Sequence, residues 1–261
     1  NGLALLSVEA TAGDLTVTRG AGQILSDAPI RLSGARIDVA GVVRGTAVTA
    51  AATDFELEIR ATEIAAVTGD VQTNGSILVA GSHGVVIYDT TLVAHGPGQR
   101  IVIESDSDVT IGLLDASGPV AVQRGAVLQA TAGLEIRAAG VADISAGSGL
   151  LAGDDDASIE IEAGELHLAG ALYAGAELGV NNAAVWTGRR AHISITAADL
   201  VELGGDSVDL AGFPVEVGGS LQATGAIHVD ATLGSVRVSE PSLIRSDARA
   251  GGALSSPWGA T

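Results

Sequence analysis

Three consecutive carboxylates, Asp154-Asp155-Asp156, follow Gly153. Carboxylates packed this closely suit two kinds of chemistry. In inverting glycoside hydrolysis one carboxyl protonates the leaving oxygen while a second activates water. Hard oxygen ligands converging on a turn also suit Ca²⁺, and calcium is the better use of Asp154, Asp155 and Asp156. Asp106, Asp108 and Asp115 form a second, looser acidic set. The plain alternative for all of them is an acidic, solvated turn.

A second cluster suits contact rather than catalysis. Trp186 arrives with Arg189-Arg190, shortly after Asn181-Asn182, in a stretch where the spacing of the chain lengthens. An exposed indole beside guanidinium groups can stack on a sugar or anchor a protein partner. Trp186, Arg189 and Arg190 are therefore the ligand-contact candidates. The alternative is a loop that folds its own Trp back onto the body.

Catalytic residues are not assigned. The run Gly153-Asp154-Asp155 resembles an element of polygalacturonase-type hydrolases, which also need a His-Gly pair and a basic pair downstream. Here His83-Gly84 and His95-Gly96 precede the acidic run, and there is no lysine. The remaining histidines, His167, His192 and His228, are scattered, and no Gly-x-Ser-x-Gly elbow, Walker A motif, Rossmann fingerprint or zinc spacing occurs. Residues 204–210, Gly-Gly-Asp-Ser-Val-Asp-Leu, match a calcium-binding nonapeptide only in part and without tandem repetition.

Charge excludes further classes. The 261 residues carry a net charge of −18, with 13 arginines and no lysine. Nucleic acid needs clustered Lys and Arg, so it is not a partner, and an anionic membrane is disfavoured likewise. There is no cysteine, hence no disulfide or thiolate site. No apolar run reaches the length of a transmembrane helix.

The elements that must position these residues announce themselves as a repeat. A short apolar-x-apolar triplet returns about every 20 to 25 residues, the period of stacked supersecondary units. It occurs as Leu15-Thr16-Val17, Ile37-Asp38-Val39, Leu57-Glu58-Ile59, Ile77-Leu78-Val79 and Ile101-Val102-Ile103. It continues as Leu134-Glu135-Ile136, Ile159-Glu160-Ile161, Ile193-Ser194-Ile195, Val215-Glu216-Val217 and Val236-Arg237-Val238. Alternation through Phe55-Glu56-Leu57-Glu58-Ile59-Arg60 marks a strand with apolar members inside and charged members in water. Phe, Tyr and Trp number two each against 36 glycines, which suits a narrow aliphatic lumen with tight turns.

The pattern predicts an all-β chain, a parallel β-helix solenoid of roughly ten to twelve coils at about 4.8 Å each. Residues 1–240 form the repeat domain and 241–261 a C-terminal cap or linker. The first ten residues lack a polar cap, so the chain is expected to continue on its N-terminal side.

Repeats such as Ala12-Gly13-Asp14-Leu15-Thr16-Val17-Thr18, Ala132-Gly133-Leu134-Glu135-Ile136-Arg137-Ala138 and Gly219-Ser220-Leu221-Gln222-Ala223-Thr224 resemble filamentous-haemagglutinin-type repeats of large bacterial exoproteins. The resemblance implies a right-handed parallel β-helix, secretion to the bacterial cell surface, and a non-enzymatic role as fibrous adhesin or stalk. The implied partners are neighbouring copies or remaining coils of the same protein, and a glycan or cell-surface protein. Two other readings stand beside it: a self-assembling extracellular filament, matrix or sheath protein, and a β-helical polysaccharide-active enzyme.

Overall fold

The computed structural model describes residues 5–11, 13–47, 55–112, 125–179, 184–204, 206–210 and 213–246. Among them there is no helix; the chain is all-β, and almost every strand pairing is parallel.

The strands sort into three ladders that the chain visits in turn. The first holds Leu6–Glu9, Ile30–Gly34, Phe55–Ala61, Ser76–Gly81, Arg100–Ser105, the leading halves of Gly133–Ile144, Ser158–Leu168 and His192–Leu203, and Ile227–Ala231. The second holds Leu15–Val17, Ile37–Val39, Ile64–Val67, Gly84–Tyr88, Val109–Gly112, the trailing halves of those three long strands, and Ser235–Val238. The third holds Gln23–Ser26, Val42–Gly45, Val71–Thr73, Thr91–Ala94, Val127–Ala130, Gly149–Ala152, Ala171–Ala174, Ser220–Ala223 and Leu243–Arg245.

Each ladder thus has nine members among the described residues, and one strand from each makes a rung. The first two ladders join only through the long strands, whose register shifts between Ala138 and Val141 and between Ala163 and Glu165. The joined sheet does not close: Leu6–Glu9 and Leu15–Val17 are free edges at one end, and Ile227–Ala231 and Ser235–Val238 at the other.

Nine rungs are counted among the described residues, against the roughly ten to twelve expected for the chain. The triplets at Leu15, Ile37 and Val236 belong to the second ladder, whereas those from Leu57 to Ile193 belong to the first. Val215-Glu216-Val217 belongs to neither; it lies in an antiparallel hairpin, Asp206–Leu210 with Phe213–Val217. A second antiparallel hairpin pairs Ala176–Leu178 with Ala184–Trp186. Neither hairpin pairs with the three ladders. Nine rungs at the inter-strand spacing give a stack about 40 Å long. The third ladder runs past residue 240 through Leu243–Arg245, and residues 247–261 lie outside the described residues.

Inside, equivalent side chains stand on one another along the stack. Ile30, Leu57, Ile77, Ile101, Leu134, Ile159 and Ile193 form one buried row, and Leu32, Ile59, Val79, Ile103, Ile136, Ile161 and Ile195 the next. A third row contains Ala61, Gly81, Ser105, Ala138, Ala163 and Ala197, where the chain nears its corner and leaves room only for small groups. The alanine-rich composition is therefore spent at corners and the Ile, Leu and Val on flat walls. Each buried aliphatic side chain contributes roughly 1.5–3 kcal/mol.

Outward residues build a second register. Arg31 pairs with its rung neighbour Glu58 at 3.0 Å, Arg36 with Glu63 at 2.9 Å and Arg137 with Glu104 at 2.9 Å. The bond to Arg31 leads the causes, alongside Arg60, that hold the Glu58 carboxyl below its ordinary range in spite of burial, which acts the other way.

Candidate functional site

The residues singled out for two different chemistries meet at one corner. Residues 153–157 carry the chain from the third ladder into the first, and residues 187–191 do the same one rung later. The Asp156 amide donates to the Arg189 carbonyl at 2.8 Å, and the Arg189 amide donates to Asp155 Oδ1 at 2.8 Å. Arg190 Nη2 lies 2.7 Å from Asp156 Oδ2. The Thr187 hydroxyl adds a bond to the Gly153 carbonyl at 2.8 Å. Gly188 allows this approach, since a Cβ there would lie 2.2 Å from the Asp154 carbonyl oxygen.

Asp154, Asp155 and Asp156, the carboxylates weighed for calcium, link this turn to its surroundings in the fold. The three carboxylates face three different partners, with Asp154 Oδ2 at 3.4 Å from the Gly98 amide. Among the described residues no group of three or more His, Asp or Glu is placed to hold a metal. In the looser set, Asp108 Oδ1 accepts the Val141 amide at 2.8 Å, and Asp115 lies outside the described residues. The turn is a clasp between rungs.

Asp156 and Arg190 stack in the same left-handed conformation, at φ 60° and 58°. That region costs an L-residue about 1–2 kcal/mol, and Asp tolerates it better than Arg. The ion pair is exposed and offsets little of this. Arg190→Gly is therefore expected to stabilise by about 0.5–1 kcal/mol, whereas Arg190→Ala destabilises slightly. Urea midpoints of the two variants check the order; if both are equally destabilised, the ion pair dominates.

Trp186 follows the second of its two readings, a loop that folds its own Trp back onto the body, and offers no stacking surface. It is 5% exposed and meets Tyr173 edge to face, with ring centroids 6.1 Å apart at 83°. With Leu151, Ala171, Ala176 and Ala184 it forms a small apolar cluster on the outside of the third ladder, capped by the hairpin. The Leu178 amide donates to Gln129 Oε1 at 3.2 Å, so the hairpin lies back along the ladder. Trp186 seals the hairpin, while Arg189 and Arg190 remain exposed at the corner. Asn181 and Asn182 lie outside the described residues.

Beside the clasp an open groove of about 270 Å³ runs over the first ladder, lined by Gly98, Arg100, Gly133, Glu135, Ser158 and Glu160. Gly133 forms its floor: a Cβ there would lie 2.9 Å from the Ser158 carbonyl oxygen. Glu135 and Glu160 are register partners on adjacent rungs, and Glu135 is ion-paired with Arg137. A groove this shallow and mixed in charge suits weak contact with a polar chain.

Sequence alternation missed one buried charge. Glu56 has no exposed surface, although its position between Phe55 and Leu57 places it in water by the strand period. The register between this strand and Ser76–Gly81 shifts at that point, with Ser76 opposite Phe55 and Ile77 opposite Leu57. Glu56 is the extra residue of a bulge. Its carboxylate sits against Gly45, where a Cβ would fall 2.5 Å from Oε1.

Burial pushes the Glu56 carboxyl above its ordinary range, opposed by the amides of Gly75, Ala47 and Asn74, and neither oxygen makes a well-formed hydrogen bond among the described residues. A raised folded-state pKa favours the protonated form in the fold. Stability from this group is full below the unfolded-state pKa and falls as pH rises through the folded one. Glu56→Gln is expected to stabilise at pH 7 by about 1 kcal/mol and to flatten the acid side of the stability profile. Thermal melts from pH 4 to 8 check it; an unchanged profile refutes the assignment.

A scan against family models finds no match for the chain, and searches of curated proteins and of solved structures find none either.

Proposed function

We propose that the chain is a right-handed parallel β-helix forming a rigid structural segment of a large secreted protein at the bacterial cell surface, an adhesin or stalk without catalytic activity. The observation that carries this reading is the register: every rung repeats the apolar rows of the one before it, so the chain invests in continuity rather than in a cavity. Right-handedness follows from the preference of parallel crossovers, about 98% of which are right-handed. A stack with dry interior rows and ion-paired outer rows is a spacer, and its contacts are shallow and gain strength by multiplicity. The exposed Arg189 and Arg190 and the adjoining groove are the surfaces offered to a glycan or cell-surface protein.

The test separates display from turnover. Beads coated with the chain are expected to be retained on glycan- or cell-coated surfaces far better than the free chain, with no release of reducing ends from a polysaccharide panel. Turnover that disappears in Glu135→Gln or Glu160→Gln overturns this reading and favours a polysaccharide-active enzyme.

A further inference from the structure

The corner between Val71–Thr73 of the third ladder and Ser76–Gly81 of the first is made by Asn74-Gly75. Asn74 is the sole asparagine among the described residues, and its side chain reaches the rung before. Its Nδ2 donates to the Thr46 carbonyl at 3.2 Å, while its backbone amide donates to the Gly45 carbonyl at 3.3 Å. The Thr73 hydroxyl donates to the Gly75 carbonyl at 2.6 Å and holds the glycine in the bend. Glu56 meets the same corner. It is the extra residue of the bulge opposite Ser76, next to Gly75 in the chain, and its carboxylate packs on Gly45. The amides of Gly75 and Asn74 are among the three turned toward it.

In a dipeptide of asparagine followed by glycine the backbone nitrogen is least shielded, because the second residue has no Cβ. That nitrogen is placed by the chain itself within reach of the asparagine side-chain carbon, so no bimolecular encounter is needed. We propose that Asn74-Gly75 is a self-modification site, where the Gly75 nitrogen displaces the Asn74 side-chain amine and Glu56 serves as the base. Glu56 accepts the Gly75 N–H proton as the nitrogen bonds to Asn74 Cγ. The Cγ–Nδ2 bond then breaks, and the amine takes the proton from Glu56 and leaves as ammonia. Water opens the resulting succinimide at either carbonyl, leaving aspartate or isoaspartate. Nothing is oxidised or reduced, and water is the sole co-reactant. Burial strengthens Glu56 for this role, since a carboxylate of higher proton affinity is the better base.

The product bears on the fold. A carboxylate replaces the amine that had donated to the Thr46 carbonyl, so a bond between rungs becomes a repulsion. Isoaspartate also lengthens the backbone at the corner.

The full chain, kept folded at neutral pH in heavy-oxygen water, tests this. Cleavage after Arg60 and Arg100 isolates residues 61–100, in which Asn74 is the one asparagine. Mass spectrometry is expected to show that peptide deamidated and labelled from solvent, as a mixture of isoaspartate and aspartate. Conversion is expected to run faster in the folded chain than in urea, and about a hundredfold slower in folded Glu56→Gln. If that variant loses its β-type circular dichroism, the comparison of folded with unfolded parent decides alone. Asn74 that stays intact while folded, or converts no faster than in urea, overturns the proposal. So does an equal rate in folded Glu56→Gln, or aspartate without isoaspartate, which marks direct hydrolysis.

Discussion

Ile103→Ala lowers the unfolding free energy by about 2–5 kcal/mol. Ile103 is fully buried in the second of the buried rows, with Val79 on one side and Ile136 on the other. Its removal leaves a void that neither neighbour can fill, because each is held by its own ladder bonds. The same truncation at the open end, Val238→Ala, costs under about 1 kcal/mol, since little transfer energy attaches to a half-exposed side chain. Urea unfolding of the two variants measures the contrast. Equal losses would mean that the rows are not continuous from rung to rung.

Gly69→Ala is expected to cost about 3 kcal/mol. Gly69 turns the chain from the second ladder into the third, and its amide bonds the Val39 carbonyl at 2.9 Å. A Cβ there would stand 1.9 Å from the carbonyl oxygen of Gly41, the equivalent corner of the rung before. Gly41 is in turn crowded by Gly22, whose carbonyl oxygen would lie 2.2 Å from a Cβ. The close contact is backbone, so no side chain can swing aside and two rungs must separate. Gly13→Ala, where nothing lies within 4 Å, serves as the control and is expected to be near neutral. Thermal melts of the pair decide it: similar shifts would show that the corner yields without cost.

Strand type was legible in the sequence, whereas ladder membership was not. The apolar-x-apolar triplets cannot be sorted by inspection, because the first two ladders turn their apolar members into one core and demand the same alternation. Only pairing across rungs separates Leu15-Thr16-Val17 from Leu57-Glu58-Ile59. Val215-Glu216-Val217 shows the same limit, since an antiparallel hairpin uses the period of a rung strand. Trp186 and Tyr173 meet because the hairpin folds back over its own ladder, a distance no local pattern records. The acidic run and the arginine pair were each visible as chemistry, yet a whole turn of chain lies between them. Their mutual bonds follow from the length of that turn. Glu56 was read as solvated because strict alternation carries no sign of a bulge.

The ladders have a mechanical consequence. Strands lie across the stack, so the hydrogen bonds between rungs point along its length. A force applied at the two ends therefore opens the bonds of one rung at a time, in the manner of a zipper, and does not load all of them together in shear. Extension would proceed from an end in successive releases of chain, each the length of one turn. The largest releases would come from the turns that carry the two side hairpins. Sideways bending, by contrast, strains three walls at once, so the segment resists deflection much better than it resists being drawn out.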